Sequence, residues 1–272
     1  MMPEATNEDL LYVSNYDVVL VFSYPQGKLV GTLKGFYSAV GECVDKQGDV
    51  FVVNFKPLAV YEYSHGGTKR IATYLDKKAG SNGCAINPLN GDLAVSGVSS
   101  YVDVFKSPNQ RPTSYKDKNM FYGAFITYDD KGNLFFQGLM NPSGATRLSE
   151  LASGSSTFVG ISLDAPTYSE GGLLWNDGYL TAGSNDHKTV SIYQFQVTGT
   201  VAHKVSATPL GKAAHIVLQY FIDGQTLIVP NLYGSGSNVL LYDYPAGGTP
   251  TSIITKRITA ARGLVVSRAA SH

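Results

Sequence analysis

The stretch Cys43-Val44-Asp45-Lys46-Gln47-Gly48-Asp49-Val50-Phe51-Val52-Val53 decides the fold. Two short runs rich in β-branched and aromatic residues flank a turn of Asp, Gly and polar residues, the pattern of a β-hairpin. The arrangement returns at Asn87-Pro88-Leu89-Asn90-Gly91-Asp92, Asp129-Asp130-Lys131-Gly132-Asn133, Asn176-Asp177-Gly178 and Asp223-Gly224. The turn glycines Gly48, Gly91, Gly132, Gly178 and Gly224 stand 43, 41, 46 and 46 residues apart. Beyond each hairpin comes a third alternating run, such as Val19-Leu20-Val21-Phe22-Ser23-Tyr24, Leu58-Ala59-Val60-Tyr61-Glu62-Tyr63 or Val239-Leu240-Leu241-Tyr242-Asp243-Tyr244. A fourth, such as Ile71-Ala72-Thr73-Tyr74 or Ser252-Ile253-Ile254-Thr255, completes the unit.

Four strands in each repeat of roughly 40–50 residues, with no helical patterning, are the mark of a propeller blade. The chain begins on a second strand, Leu11-Tyr12-Val13-Ser14-Asn15, and ends on a first strand, Gly263-Leu264-Val265-Val266-Ser267. Joining the two makes one further blade and leaves no open sheet edge between first and last repeats. The expectation is an all-β, six-bladed β-propeller with four antiparallel strands per blade. It spans residues 10–268 and closes by pairing the C-terminal first strand (263–268) with the N-terminal strands (10–34). Residues 1–9 and 269–272 are expected as tails. The blade around 133–178 is the least regular, with a weakly patterned third strand near Ala145–Leu151.

The units run Gly-x-Cys/Ala-Val/Ile-Asp/Asn, then a Gly-Asp/Asn turn, a strand ending in Asn or Gly, and Val-x-Val-Phe/Tyr. In this they resemble NHL-type repeats and the related gluconolactonase/SMP-30-like six-bladed propellers. Leu11-Tyr12-Val13-Ser14-Asn15-Tyr16 and Asn82-Gly83-Cys84-Ala85-Ile86 are most similar to uncharacterised bacterial NHL-like propeller proteins, which are often exported. The resemblance covers nearly the whole chain and implies the fold and an extracytoplasmic location. It does not carry an activity, because one fold hosts many functions.

Composition narrows the partners. The 21 basic and 21 acidic residues balance, and charged residues make up 15% of the chain against about 25% in average domains. Without a basic run, nucleic acid is not an expected partner. No window reaches the roughly 18 apolar residues of a membrane span. The start, Met1 to Asp9, carries neither the basic nor the apolar region of a secretory signal. A monomer is expected.

In such a propeller the fourth-to-first and second-to-third loops share one face around the channel mouth. There the sequence places Tyr16, Tyr37, Phe55, Asn82, Tyr122, Tyr168, His187, Tyr233 and Arg262 as candidate ligand-binding residues. An apolar, aromatic mouth with few polar groups suits a small organic molecule or a peptide. The starts of the first strands align as Val40-Gly41-Glu42, Asn82-Gly83-Cys84, Tyr122-Gly123-Ala124, Gly171-Gly172-Leu173, Ala214-His215-Ile216 and Arg262-Gly263-Leu264. Glycine holds the middle position except at His215.

Glu42 breaks the apolar pattern of this ring. Three roles are open to it: a buried ion pair with Arg262, an acid/base or ligand-orienting carboxyl, or a cation ligand. Glu42, Glu170 and His215 are the candidate catalytic residues. Oxygen donors such as Glu42, Asn82 and Glu170 would suit Ca²⁺. The SMP-30-like set of one Glu, two Asn-type ligands and one Asp is not reproduced, so no cofactor is evident and a central Ca²⁺ is not favoured. Cys43 and Cys84 lie on neighbouring first strands, where either a disulfide or two buried thiols fit. The leading expectation is a binding propeller. The alternatives are an enzyme of lactonase, lyase or condensation type using a lone carboxylate, as SMP-30-like and strictosidine-synthase-like proteins imply, and a protein-interaction scaffold.

Overall fold

The computed structural model describes residues 1–168, 171–185, 190–232 and 236–270. Its strands are, in chain order, β1 (Leu10–Ser23), β2 (Leu29–Val44), β3 (Val50–Asn54), β4 (Ala59–Tyr63), β5 (Arg70–Leu75), β6 (Ser81–Ile86), β7 (Leu93–Gly97), β8 (Tyr101–Phe105), β9 (Thr113–Lys116), β10 (Met120–Tyr128) and β11 (Leu134–Met140). There follow β12 (Thr146–Leu151), β13 (Val159–Leu163), β14 (Leu173–Asn176), β15 (Tyr179–Asn185), β16 (Val190–Thr198), β17 (Val201–Pro209), β18 (Phe221–Asp223), β19 (Thr226–Asn231), β20 (Asn238–Asp243), β21 (Ser252–Ile254) and β22 (Ala261–Ser267). A 3₁₀ turn at Pro3–Asn7 precedes them, and the described residues contain no α-helix.

These strands form a β-propeller. Consecutive antiparallel ladders join β6 to β9, β10 to β13, β14 to β17 and β18 to β21. Two long strands each serve twice. β1 folds back at Tyr16, which takes a positive φ of 63°, and the Tyr24 N–H donates to the Asp9 carbonyl at 2.8 Å across the hairpin. The first part of β2 pairs with β1 (Val18↔Lys34, Leu20↔Thr32), and its second part pairs with β3 (Glu42↔Val52, Cys43↔Phe51). β22 pairs antiparallel with the start of β1, Leu10↔Ser267 to Val13↔Leu264, so the closing blade takes its inner strand from the C-terminal end. Between the β10–β13 and β14–β17 sets, the outer strands β13 and β17 pair in parallel over two positions.

Local chemistry explains the turns. Asp45 Oδ1 accepts from the Gln47 and Asp49 amides, Asn87 Oδ1 from Leu89, and Asp129 Oδ1 from Lys131 and Asn133. Each Asx side chain thus stands in for a backbone acceptor at the head of its turn. The two-residue turn Asp177-Gly178 takes positive φ at both residues, as a hairpin of this length prefers. The Asn that ends several second strands has one repeated task. Asn15, Asn54 and Asn231 each accept, on Oδ1, backbone N–H groups from the loop leading into the first strand: Thr259 and Ala260, Tyr37, and His215 respectively.

A second recurrence sits after the outer strands. Asp76, Asp117 and Asp164 each follow a fourth strand, and their amides donate to Leu58, Ser100 and Ala202. The buried Asp76 carboxylate then accepts five hydrogen bonds from Lys78 N, Ala79 N, Gly80 N, Ser81 N and Ser81 Oγ. Asp117 forms a buried ion pair with Arg147 Nε at 2.7 Å.

The innermost strands meet closely because glycine lines their contacts. A Cβ at Gly263 would lie 2.3 Å from the Val40 carbonyl oxygen, one at Gly41 2.5 Å from that of Asn82, and one at Gly83 3.2 Å from that of Ala124. At Gly172, with φ +75°, it would lie 2.3 Å from the Leu218 oxygen. The apolar core is divided into clusters between successive sheets, each fed by alternate residues of the strands. The first residues pack onto this frame: Ala5 is buried, Met2 N donates to Val30 O, and Asp9 meets Arg268 and the Ala269 amide.

Candidate functional site

Glu42 is the one candidate carboxyl brought to the axis among the described residues. It sits in the second half of β2, 1% exposed, in strand positions otherwise filled by apolar groups. Ser14 Oγ donates to Glu42 Oε1 at 2.8 Å, while Oε2 is buried without a hydrogen-bond partner. Burial pushes the carboxyl up from 4.5 to about 8, against the opposing pull of the Ser14 hydrogen bond. A carboxyl in such surroundings keeps its proton because the charged form has lost its water.

Of the three roles open to Glu42, the ion pair with Arg262 does not form. Arg262 Nη1 donates to Ser38 Oγ at 3.1 Å, its guanidinium lies 6.0 Å from the Tyr16 ring centroid, and its Nε is buried without a partner. Gln219, not Arg262, is bound to Glu42, through its backbone. Gln219 Oε1 accepts from the Glu42 amide at 2.7 Å, and Gln219 Nε2 donates to the Glu42 carbonyl.

The alignment of His215 with the glycine ring is corrected as well. The amides of Tyr37, His215 and Thr259 are all held by second-strand Asn residues, and Gly41 and Gly263 lie four positions beyond the first and last. Four positions beyond His215 lies Gln219. The inner strand of this blade is Phe221–Asp223, paired through the tight turn Gly224-Gln225, and residues 214–220 lack strand alternation. His215 itself is exposed, whereas Glu42 is buried.

Glu42 and Gln219 lie at one end of an axial cavity of about 250 Å³. It runs from there to Pro88 and Asp130 in the first-to-second-strand turns and to Trp175 near the end of β14, with Tyr128, Tyr220 and Phe221 in its walls. Its lining starts just past the glycine contacts, at Glu42, Cys84 and Val265, so those close backbone contacts and Gln219 cap that end. The cavity therefore faces the hairpin-turn side, opposite the mouth expected from the sequence. Trp175 is fixed at the rim: its ring stacks on Phe135 at 5.7 Å and 10°, and its Nε1 donates to Asp130 Oδ2 at 2.9 Å. The wall also carries a Cys43–Cys84 disulfide with a Cα–Cα distance of 5.7 Å, which resolves the two readings of these cysteines.

The candidate binding residues collect on the other face. Tyr16, Tyr37, Phe55 and Tyr168 are exposed there. Lys56 Nζ lies 5.7 Å from the Tyr37 ring centroid, and Phe55 N and Lys56 N donate to Ser38 and Tyr37 carbonyls. Asn82 Nδ2 donates to the Ala124 carbonyl at 3.5 Å, and Tyr122 packs part-buried against its neighbours. Glu170, His187 and Tyr233 lie outside the described residues. A larger hollow of about 610 Å³ opens on the flank around β12 and β13, but its charged groups are already engaged, Arg147 by Asp117 and Asp164 by Lys204 N and His203. The axial cavity is the better site because it alone, of the two, holds a buried carboxyl with an unused oxygen. Among the described residues no group of three or more His, Cys, Asp or Glu could hold a metal ion, and no helix is long and apolar enough to cross a membrane.

No sequence-family profile matches the chain, and no curated protein matches it by sequence. Solved structures do. A chain in the crystal structure of a nidogen/laminin complex superposes with a TM-score of 0.76 at 11% identity, over 97% of this chain and 100% of that one. A protein of unknown function from Bacteroides caccae gives 0.67 at 12% identity, over 96% and 99%. At these identities the likeness is one of fold, the β-propeller.

Proposed function

We propose that this protein is a six-bladed, NHL-like binding propeller that takes a small organic molecule into its axial cavity from the hairpin-turn side. The observation that carries the reading is that Glu42, whose Oε2 is buried and unpartnered, lines the closed end of a cavity to which apolar and aromatic residues contribute most of the lining. Unsatisfied buried polar atoms are rare in native proteins and call for a partner. The cysteine bridge supports an oxidising, extracytoplasmic setting, where such bonds persist.

The single tryptophan of the chain, Trp175, stands at the rim and offers a built-in reporter. Titrating a fragment set while following its emission should reveal binders, and Ala85→Leu, which fills the wall, should abolish their effect. Binders that ignore Ala85→Leu would move the site elsewhere. A second reading is favoured by one observation: a carboxyl held near 8 is protonated at neutral pH and suits general acid catalysis. In that case Glu42→Gln abolishes turnover of a lactone or related substrate in a protein that remains folded. Unchanged turnover removes Glu42 from the chemistry.

A further inference from the structure

The chemistry of the axial cavity is one-sided. Among the described residues, the two carboxyl groups that line it, Glu42 and Asp130, stand one at each end, and no Lys, Arg or His lines it. Tyr128, Trp175, Tyr220 and Phe221 also line it, and aromatic rings attract cations. Ser14 already serves Glu42 Oε1 and leaves Oε2 as the oxygen without a partner. Resting on the binding reading above, the geometry points to a small organic amine as the ligand, its ammonium group on Glu42 Oε2 and its hydrocarbon body between the aromatic walls.

The ammonium would supply the hydrogen bonds and the countercharge that Oε2 lacks, which is when a buried carboxylate becomes tolerable. Binding therefore ionises Glu42 and releases its proton. The titratable groups near it are Tyr12 in β1, itself raised to about 12 mainly by burial, and Tyr128 and Tyr220 in the walls, also raised by burial. None of these carries positive charge, so none competes with the ligand for Oε2.

The test is calorimetric titration of the intact protein with cyclohexylamine and with cyclohexanol, its neutral analogue, from pH 6 to 9. The amine should bind more tightly than the alcohol, with an affinity rising up to about tenfold per pH unit until about pH 8. Repeating the titration in buffers of different ionisation enthalpy should show close to one proton released per amine at pH 6. Glu42→Gln should lose the preference for amine. The proton count on the unaltered protein decides the matter if that variant does not fold. Equal binding of amine and alcohol, or amine binding without proton release, overturns the amine assignment and leaves a binding cavity. Binding of neither probe at millimolar concentration overturns the binding reading along with it.

Discussion

Gln219 hydrogen-bonds through its side-chain amide to both the N–H and the C=O of Glu42, 177 residues earlier in the chain. The side chain crosses the closing strand to do so: a Cβ on Gly263 would lie 2.6 Å from Gln219 Oε1. Glycine at 263 and glutamine at 219 are thus one device. Together they tie the blade of β18–β21 to β2 across β22 and cover one end of the cavity.

Gln219→Ala leaves two backbone groups of Glu42 without their side-chain partner and opens that end. The expected loss is about 2 kcal/mol of folding stability, the cost of orphaning buried polar groups. Urea unfolding checks it. Gln219→Glu should cost more, because an acceptor-only carboxylate replaces the amide donor beside a second carboxyl. A neutral result for both variants would reduce the contact to incidental packing.

Glu42 makes stability fall as pH rises. Below pH 4.5 the group is protonated folded or unfolded and exacts no penalty. Between 4.5 and about 8 the unfolded chain ionises while the folded one keeps the proton, so stability drops by up to roughly 1.4 kcal/mol per pH unit. Above about 8 the loss levels off. Asp49, Glu62, Asp103 and Glu150 are raised by burial too and act in the same direction, so the difference between wild type and Glu42→Gln is the quantity to measure. Urea midpoints at several pH values should converge or cross as pH climbs; parallel curves would contradict the buried, protonated carboxyl.

The Cys43–Cys84 bridge closes a loop between residues 41 apart in sequence. Chain-entropy reasoning for a loop of that size gives about 4 kcal/mol. The Cys43→Ser/Cys84→Ser double variant, or the reduced protein, should unfold at markedly lower denaturant. Indistinguishable curves with and without reductant would show that the bridge contributes little.

Asp76 gathers five donors from a single loop, four of them backbone or side-chain groups of residues 79–81. Asp76→Ala orphans them together and should cost about 3 kcal/mol or more. Asp76→Asn, which keeps one acceptor oxygen, should lose less. The order of the two unfolding midpoints is the check.

Much of the fold was legible because its rules are local. The Asx heads Asp45, Asn87 and Asp129 organise turns within five residues of themselves, and alternation shows wherever one face of a strand is buried. The glycine ring was legible except in the blade where residues 214–220 do not alternate, and there the alignment fell four positions early, on His215. Glu42 stood out as a charge among apolar neighbours. Its partners did not, since Ser14 and Gln219 are 28 and 177 residues away and reach it only through ring closure. Nor does a strand's sequence say at which end of the axis a cavity lies. That follows from where the backbones of neighbouring sheets touch. The recurrence of Asp76, Asp117 and Asp164 was present in the sequence and could have been found by aligning the ends of the fourth strands.

The closing blade takes its innermost strand, β22, from residues 261–267 and the others from residues 10–34. A ribosome delivers β22 only after every other strand of the ring. Until residues 261–267 emerge, Leu11 and Val13 present an unpaired inner edge, Gln219 has no Gly263 to pass over, and the ring has a gap. Closure, and with it a finished cavity, must await those residues. A cell making this protein has to keep a nearly complete ring of apolar strands from pairing with a neighbour for that whole interval.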